Sequence, residues 1–492
     1  MRMVSLVGLV ALIGVACSAA DPGVTATRSR QGAGGDLITT DTTGGQERDY
    51  AVIDGVVDFG ERGPAHPDYD GFLTAAFGDV QAFWAEAYPE TYGLPWTPLE
   101  GGIFAAYPER EATIPGCGKD VSTYEDVRQG TAFYCRLGDF MAYDDAESLP
   151  ALVDALGREA VAIVLAHEFG HAVQARADEF RQPGILKEQQ ADCFAGAWTA
   201  HAASGGSDII SLDDTAIRAG LVAMIQISDP LLEDGSNPLS SDDPHGTGFD
   251  RVGAFQDGFE GGPARCQTFF TEGRIDNLID IPFEPTDPNA GNLPLVDPNP
   301  DPTNGAVDIV TLIPAGLDLF WTELAAANNV TFTVPTFSPF PNAGPYPTCS
   351  GIDDNLWPKS VRYCADDNTI YWDQDFAFGL SENEVTGDMS VGYLFANAYS
   401  DAIQTALSGT KTGEARVLMN DCLSGAWVAS IIPPAPETSP VYLSAGDLDE
   451  AIIIAIALSD QSTDTNVNGS AFEKVDAFRT GVLGGLNACT IG

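Results

Sequence analysis

The chain has 492 residues, 44% of them hydrophobic, enough to build more than one packed domain. Its 71 acidic residues against 23 basic ones give a formal charge of −48, a surface that repels nucleic acid and anionic lipid and excludes both as expected partners. Such a surface suits solubility in high salt, or substrates that are basic or neutral.

The N-terminus reads as an export signal over residues 1–20. Met1-Arg2 supplies a basic end and Val4–Ala16 an apolar core too short to span a membrane permanently. Cys17 follows, and two readings stand: a lipoprotein signal cleaved before Cys17 with lipid on its thiol, or ordinary cleavage after Ala20. Gly14 stands where a lipobox has Leu, whereas Ala16 fits. Either way the product is exported, at the cell surface on a lipid anchor or secreted. Residues 21–48, rich in Gly, Thr, Ser and Asp, read as a flexible tether. No later apolar stretch is expected to cross a membrane uninterrupted.

Helical periodicity then occupies 74–88, 150–178, 185–203, 212–228 and 248–259, and Gly102–Ala106 and Phe140–Tyr143 read as short strands of a small sheet. The stretch 150–178 carries His167-Glu168-Phe169-Gly170-His171, an HExxH pattern. Residues four apart share a helix face, so the two imidazoles can grip one metal ion, with Glu168 placed to take a proton from a water on it. Histidine is scarce, 5 in the whole chain, so this pairing is not a common accident. After the Pro183-Gly184 break comes Lys187-Glu188-Gln189-Gln190-Ala191-Asp192. A catalytic zinc takes three protein ligands, and Glu188 is the expected third. Asp192, one turn on, is expected one shell out, accepting a hydrogen bond from a ligand histidine and fixing its tautomer. The metzincin spacing fails, because Gln174 and Ala177 stand where Gly and His are required.

HEFGHAVQ, then EQQADCFAGAW, then HGTGFDRVGAF at 245–255, resembles the bacterial family of neutral zinc metallopeptidases over roughly residues 50–270. The resemblance implies a Zn2+-dependent protease with a thermolysin-like (gluzincin) metal site, and it is silent on substrate.

The chain also repeats itself. Ala82–Glu86 recurs as Leu319–Glu323, and Phe133-Tyr134-Cys135 as Arg362-Tyr363-Cys364. Asp192–Trp198 recurs as Asp421–Trp427, and His245-Gly246-Thr247 with Val252, Phe255, Gly258 and Cys266 as Asn468-Gly469-Ser470 with Val475, Phe478, Gly481 and Cys489. The expected architecture is therefore α+β, mostly helical: two homologous zincin-like domains in tandem, at 49–270 and 306–492, joined by an acidic, Pro- and Asn-rich extended linker at 271–305. Helical periodicity returns near 317–327, 390–408, 414–430 and 447–459. Four cysteines fall at matching places in each half, and their positions predict Cys117–Cys135, Cys193–Cys266, Cys349–Cys364 and Cys422–Cys489. A thiol-zinc site is the rival; no CxxC pair supports it.

What the fold needs survives in both copies of a duplication, and what only chemistry needs can lapse in one. His167, Glu168 and His171 become Asn397, Ala398 and Asp401, and Glu188 becomes Val417, whereas Gln174 persists as Gln404 and Asp192 as Asp421. The second half is expected to be a degenerate peptidase. His245 becomes Asn468, so it sorts with the chemical residues; resemblance and chemistry both give it a hydrogen bond to the tetrahedral oxyanion. Tyr143 and Tyr371 match and read as framework, and His66 and His201 read as surface or packing residues. The expected activity is hydrolysis of peptide or protein substrates by a metalloendopeptidase with Glu168 as general base. Two rivals are kept: a non-catalytic surface lipoprotein or scaffold with structural zinc, and an amidase of cell-wall peptides.

Overall fold

The computed structural model describes residues 50–226, 246–271, 274, 278, 279, 281, 291–301, 305–435, 438–459 and 468–490, apart from 119, 129, 130 and 384. The expected signal peptide, Cys17, the tether and His245 lie outside the described residues. The chain divides into two compact units, the first ending at Ile279.

The first unit opens with α1 (Asp70–Tyr92), followed by β1 (Gly102–Ala106), a minimal pair β2 (Ile114–Pro115) and β3 (Val121–Ser122), and the one-turn α2 (Tyr124–Val127). Then come β4 (Ala132–Cys135), β5 (Phe140–Asp144), α3 (Ser148–Leu156), α4 (Arg158–Ala177), α5 (Gly184–Ala203), α6 (Asp214–Gln226) and α7 (Gly248–Gln267). The sheet has the order β1-β5-β4, with β1 parallel and β4 antiparallel to the fully buried β5. The expected strands thus pair directly, Gly102 opposite Phe140 and Ala105 opposite Tyr143. The expected single helix over 150–178 is two helices. Gly157 parts them with φ 89° and ψ 158°, a conformation open to glycine and closed to a helix.

Helix α4 is buried from Ala160 through His167, because it runs through the centre of the unit with α1, α5 and α6 packed around it. Helices α5 and α7 approach as closely as backbones allow. A Cβ on Gly196 would lie 2.0 Å from the carbonyl oxygen of Phe255, and one on Gly258 would lie 1.8 Å from that of Cys193. Helix α7 kinks at Gly262, where φ is 63° and ψ −170°, and the Cys193–Cys266 disulfide ties α5 to the turn beyond that kink; Cys117–Cys135 ties the β2 region to β4.

The second unit runs α8 (Ile309–Ala327), β6 (Thr336–Phe340), β7 (Val361–Cys364), β8 (Thr369–Asp373), α9 (Gln374–Ser381), α10 (Gly387–Ala406), α11 (Glu414–Ile431), α12 (Asp447–Ala457) and α13 (Ala471–Gly484). Its sheet has the order β6-β8-β7, with the same one parallel and one antiparallel pairing. Gly425 and Gly481 make the same close helix contact, and Cys349–Cys364 and Cys422–Cys489 are the disulfides. All eight described cysteines are therefore bonded, which removes the thiol-zinc rival.

Two expectations change here. Part of the expected linker is structure: Leu293 and Leu295 are buried, and Pro294 and Leu295 carbonyls receive the N–H groups of Ile309 and Val310 at the head of α8. Two leucines inside a Pro- and Asn-rich run are enough apolar surface to dock it. Second, α8, at 19 residues, is long and apolar enough by length and composition to cross a membrane. It buries one face, Ile309, Ile313, Gly316, Leu317 and Trp321, and its Asp318 accepts a hydrogen bond from Tyr399 at 2.7 Å.

Candidate metal centre

Helices α4 and α5 cross where Gly170 meets Ala191. A Cβ at Gly170 would lie 2.9 Å from the Ala191 Cα, so the glycine inside the HExxH motif lets the second helix come close. This crossing brings together residues from two turns of each helix. Glu188 Oε2 lies 3.3 Å from His167 Nε2 and 3.3 Å from His171 Nε2. One donor atom from each of the three lies within 4.8 Å of the others.

The opposite nitrogen of each ring is engaged. His167 Nδ1 lies 2.6 Å from Asp192 Oδ1, and His171 Nδ1 lies 2.9 Å from Gln174 Oε1. A carboxylate and an amide oxygen are both acceptors, so each Nδ1 carries a proton; each Nε2 donates to Glu188 when the ring is protonated and would offer its lone pair to a metal ion bound between them. Asp192 is itself fully buried and held by Arg251 of α7, whose Nε and Nη2 donate at 2.9 and 2.8 Å. Gln174 donates to the Lys187 carbonyl at 2.6 Å and to Gln190 Oε1 at 3.0 Å, fastening the head of α5 to α4.

The electrostatics follow from this packing. Burial disfavours charge on His167, but the adjoining Asp192 carboxylate overrides it and lifts the ring to about 10. Burial works the same way on His171, and Glu188 raises it. Burial also opposes ionisation of Glu188 and Asp192, yet the His171 and His167 rings hold Glu188 well below the carboxylate range, and Arg251 and His167 hold Asp192 down. The cluster is built to hold a carboxylate against two cationic or metal-bound imidazoles.

The donor set fits zinc. Two imidazole nitrogens and a carboxylate oxygen form a catalytic-type triad, and a tetrahedral ion with ligands at about 2.1 Å separates them by about 3.4 Å. The observed 3.3 Å separations match that edge. Glu168, half-exposed beside the triad, accepts the Tyr134 N–H of edge strand β4 at 3.0 Å.

The expected His167, His171, Glu188, Asp192 and Glu168 are therefore gathered in one place. His245 is outside the described residues; the next residue, Gly246, sits against Ile185 and Gln189 of α5. His66 stacks on Tyr69 and His201 against Phe83, and neither joins the donor group. Sequence reasoning missed Arg251 and the bond from Gln174. Both had a signal: a basic residue recurs at Lys474 in the repeat, and Gln174 recurs as Gln404.

Residues 110–269 match the protein family described as "Putative neutral zinc metallopeptidase". The chain is 31% identical over 160 residues to the uncharacterized protein Rv2575 of Mycobacterium tuberculosis, covering 28% of this chain and 54% of that one. It is 32% identical over 181 residues to the uncharacterized protein YpfJ of Escherichia coli, covering 32% and 59%. It thus spans little more than half the length of these curated relatives. No solved structure matches.

Proposed function

We propose that the first unit is a zinc-dependent metallopeptidase of an exported protein, hydrolysing peptide bonds with Glu168 as general base. The observation that carries this reading is the convergence of His167 Nε2, His171 Nε2 and Glu188 Oε2, with Glu168 one residue along the same helix. Among the described residues three ligand-type side chains meet there, the number a catalytic site uses while keeping a position open.

Zinc bound by these three would polarise the scissile carbonyl and lower the pKa of water at its open position. Asp192 and Gln174 hold the imidazoles in the tautomer that leaves both Nε2 lone pairs free. The Glu168 carboxylate takes a proton from the attacking water and returns it to the leaving amine nitrogen, while the Tyr134 N–H fixes its position. His245 completes the reading as donor to the developing oxyanion, on its loss from the repeat and the family resemblance alone. Attachment through a lipid on Cys17 belongs to the same proposal.

The second unit, on this reading, is a duplicate that has lost its metal. Asn397 donates to Asp421 at 2.6 Å where His167 meets Asp192, and Asp401 is ion-paired with Arg416 at 2.6 Å. Gln404 keeps the structural bonds of Gln174, to the Arg416 carbonyl and Asn420, yet its Oε1, the counterpart of the oxygen that faces His171 in the first unit, has no partner among the described residues.

The test is zinc content of the purified protein together with chelator-sensitive cleavage of a broad peptide library. The wild type is expected to hold one zinc, His167→Ala none, and Glu168→Gln to keep zinc while losing activity by about 10²–10⁴-fold. A Glu168→Gln protein that cleaves at the wild-type rate overturns the assignment.

A further inference from the structure

In the second unit three carboxyl side chains meet between the N-termini of two helices. Asp388 stands in the first turn of α10, and Asp447 and Glu450 stand in the first turn of α12. All three are buried, and one oxygen from each lies within 4.8 Å of the others. Several of their oxygens are engaged: Asp388 Oδ2 accepts the Leu293 N–H at 2.7 Å, Glu450 Oε2 the Met389 N–H at 2.9 Å, and Asp447 the Ser444 N–H and hydroxyl at 2.8 and 2.7 Å. Asp388 Oδ1 is not. The residue is only 7% exposed, and among the described residues no donor outside the cluster reaches that atom.

Asp388 and Asp447 also line a cavity of about 10 Å³, otherwise walled by apolar side chains such as Leu293, Ile313 and Val441, with room for one water-sized body. Among the described residues no basic side chain forms an ion pair with any of the three; Arg416 and Lys474 are engaged with Asp401 and Asp421. Burial, and for Asp447 and Glu450 also the charge of Asp388, pushes the carboxyls above their ordinary range. Without a cation the three are neutralised by retained protons, Asp388 and Glu450 sharing a hydrogen bond, and a bound cation would take the place of those protons. Gly387 is shaped for this cluster: at φ 54° it admits Glu450, whose Oε1 would lie 1.9 Å from any Cβ there.

We propose that Asp388, Asp447 and Glu450 form a divalent-cation site in the second unit, with calcium as its cation. An all-oxygen donor set of three carboxyls selects a hard ion, and calcium accepts such a set with flexible geometry. The site is independent of the zinc reading of the first unit.

The full-length protein carrying His167→Ala, which disables the first metal centre, is stripped with chelator. It is then given Ca2+, Mg2+ or Mn2+ at about 1 mM in high salt, which screens loose association with the acidic surface. Equilibrium dialysis is expected to show one calcium per chain and thermal unfolding a rise of several degrees. Asp388→Asn, which keeps the bond to Leu293, is expected to weaken calcium binding at least tenfold. No stoichiometric binding of any of the three cations overturns the proposal, as does undiminished binding by Asp388→Asn. Should that variant not fold, Glu450→Gln and the dialysis result for the parent protein decide.

Discussion

Arg251 grips Asp192 with two hydrogen bonds in a fully buried ion pair, and Asp192 in turn holds Nδ1 of His167. Helix α7 therefore governs a proposed metal ligand on α4 through a carboxylate on α5. In the second unit Lys474 makes the corresponding contact to Asp421, at 2.9 Å, beside an asparagine in place of the histidine. The pair thus has a structural duty in both units and, on the zinc reading, a metal-tuning duty in one.

Arg251→Met separates these duties. It leaves Asp192 buried without its counter-charge, a loss of about 3–5 kcal/mol. The same change frees Asp192 to reorient, and zinc affinity is expected to fall about 10–100-fold. Urea unfolding of the zinc-free protein reads the first effect and chelator competition the second. A variant with unchanged zinc affinity would show that Asp192 needs no anchor.

Gln174 and Gln404 offer a matched comparison. Each spans its helix pair by donating to a carbonyl and a side-chain oxygen, so replacing either with Met is expected to cost about 1–3 kcal/mol for the acceptors left unpaired. Only Gln174 also receives a histidine N–H. Zinc affinity is expected to fall about tenfold in Gln174→Met and not to change in Gln404→Met. Equal effects from the two would sink the duplicate-and-loss reading of the second unit.

The donor residues were legible because local rules and chemistry agree: a four-residue spacing places His167 and His171 on one face, and Pro183 resets the chain so that Glu188 and Asp192 can face back. The strands expected at Gly102–Ala106 and Phe140–Tyr143 were legible as short apolar runs, but their parallel pairing depends on the crossover through β4 and is invisible to periodicity. Arg251 was hidden because a charged residue in an amphipathic stretch reads as solvent-facing until a buried partner appears. Helix α13 went unread as a helix although Ser470 and Glu473 form a capping box at its start, a signal that stands in the sequence. The Gly157 break between α3 and α4 was missed because apolar periodicity continues across it, and only the backbone angle there shows that the helix stops.

The two disulfides of the first unit differ in the loop they close. Cys193–Cys266 spans 73 residues and Cys117–Cys135 spans 18, so the chain-entropy account gives about 4 and about 3 kcal/mol. The longer one also clamps α5 against α7 at the glycine contact that seats Arg251 beneath Asp192. Cys193→Ala/Cys266→Ala is therefore expected to lower both Tm and zinc affinity, and Cys117→Ala/Cys135→Ala to lower Tm by less. Calorimetry and zinc titration on the two variants check this ordering, and an inverted order would contradict it.

Glu179 supplies a pH effect apart from the metal ligands. Burial lifts its carboxyl to about 7, against the opposing bonds from Gln190 and Tyr92, the latter at 3.2 Å. The unfolded chain ionises this group near 4.5, so between about 4.5 and 7 the folded state holds a proton that the unfolded state has released. Stability from this group is present at the acid end of that window and is lost as pH rises through it. Solvent screening of a partly exposed group reduces the effect to about 1 kcal/mol. Glu179→Gln keeps an acceptor for the Tyr92 hydroxyl and removes the titration, so its Tm is expected to exceed the wild type's at pH 8 and to match it near pH 4.5. Thermal unfolding of both proteins across that range is the measurement, and parallel curves would show that Glu179 does not hold the proton.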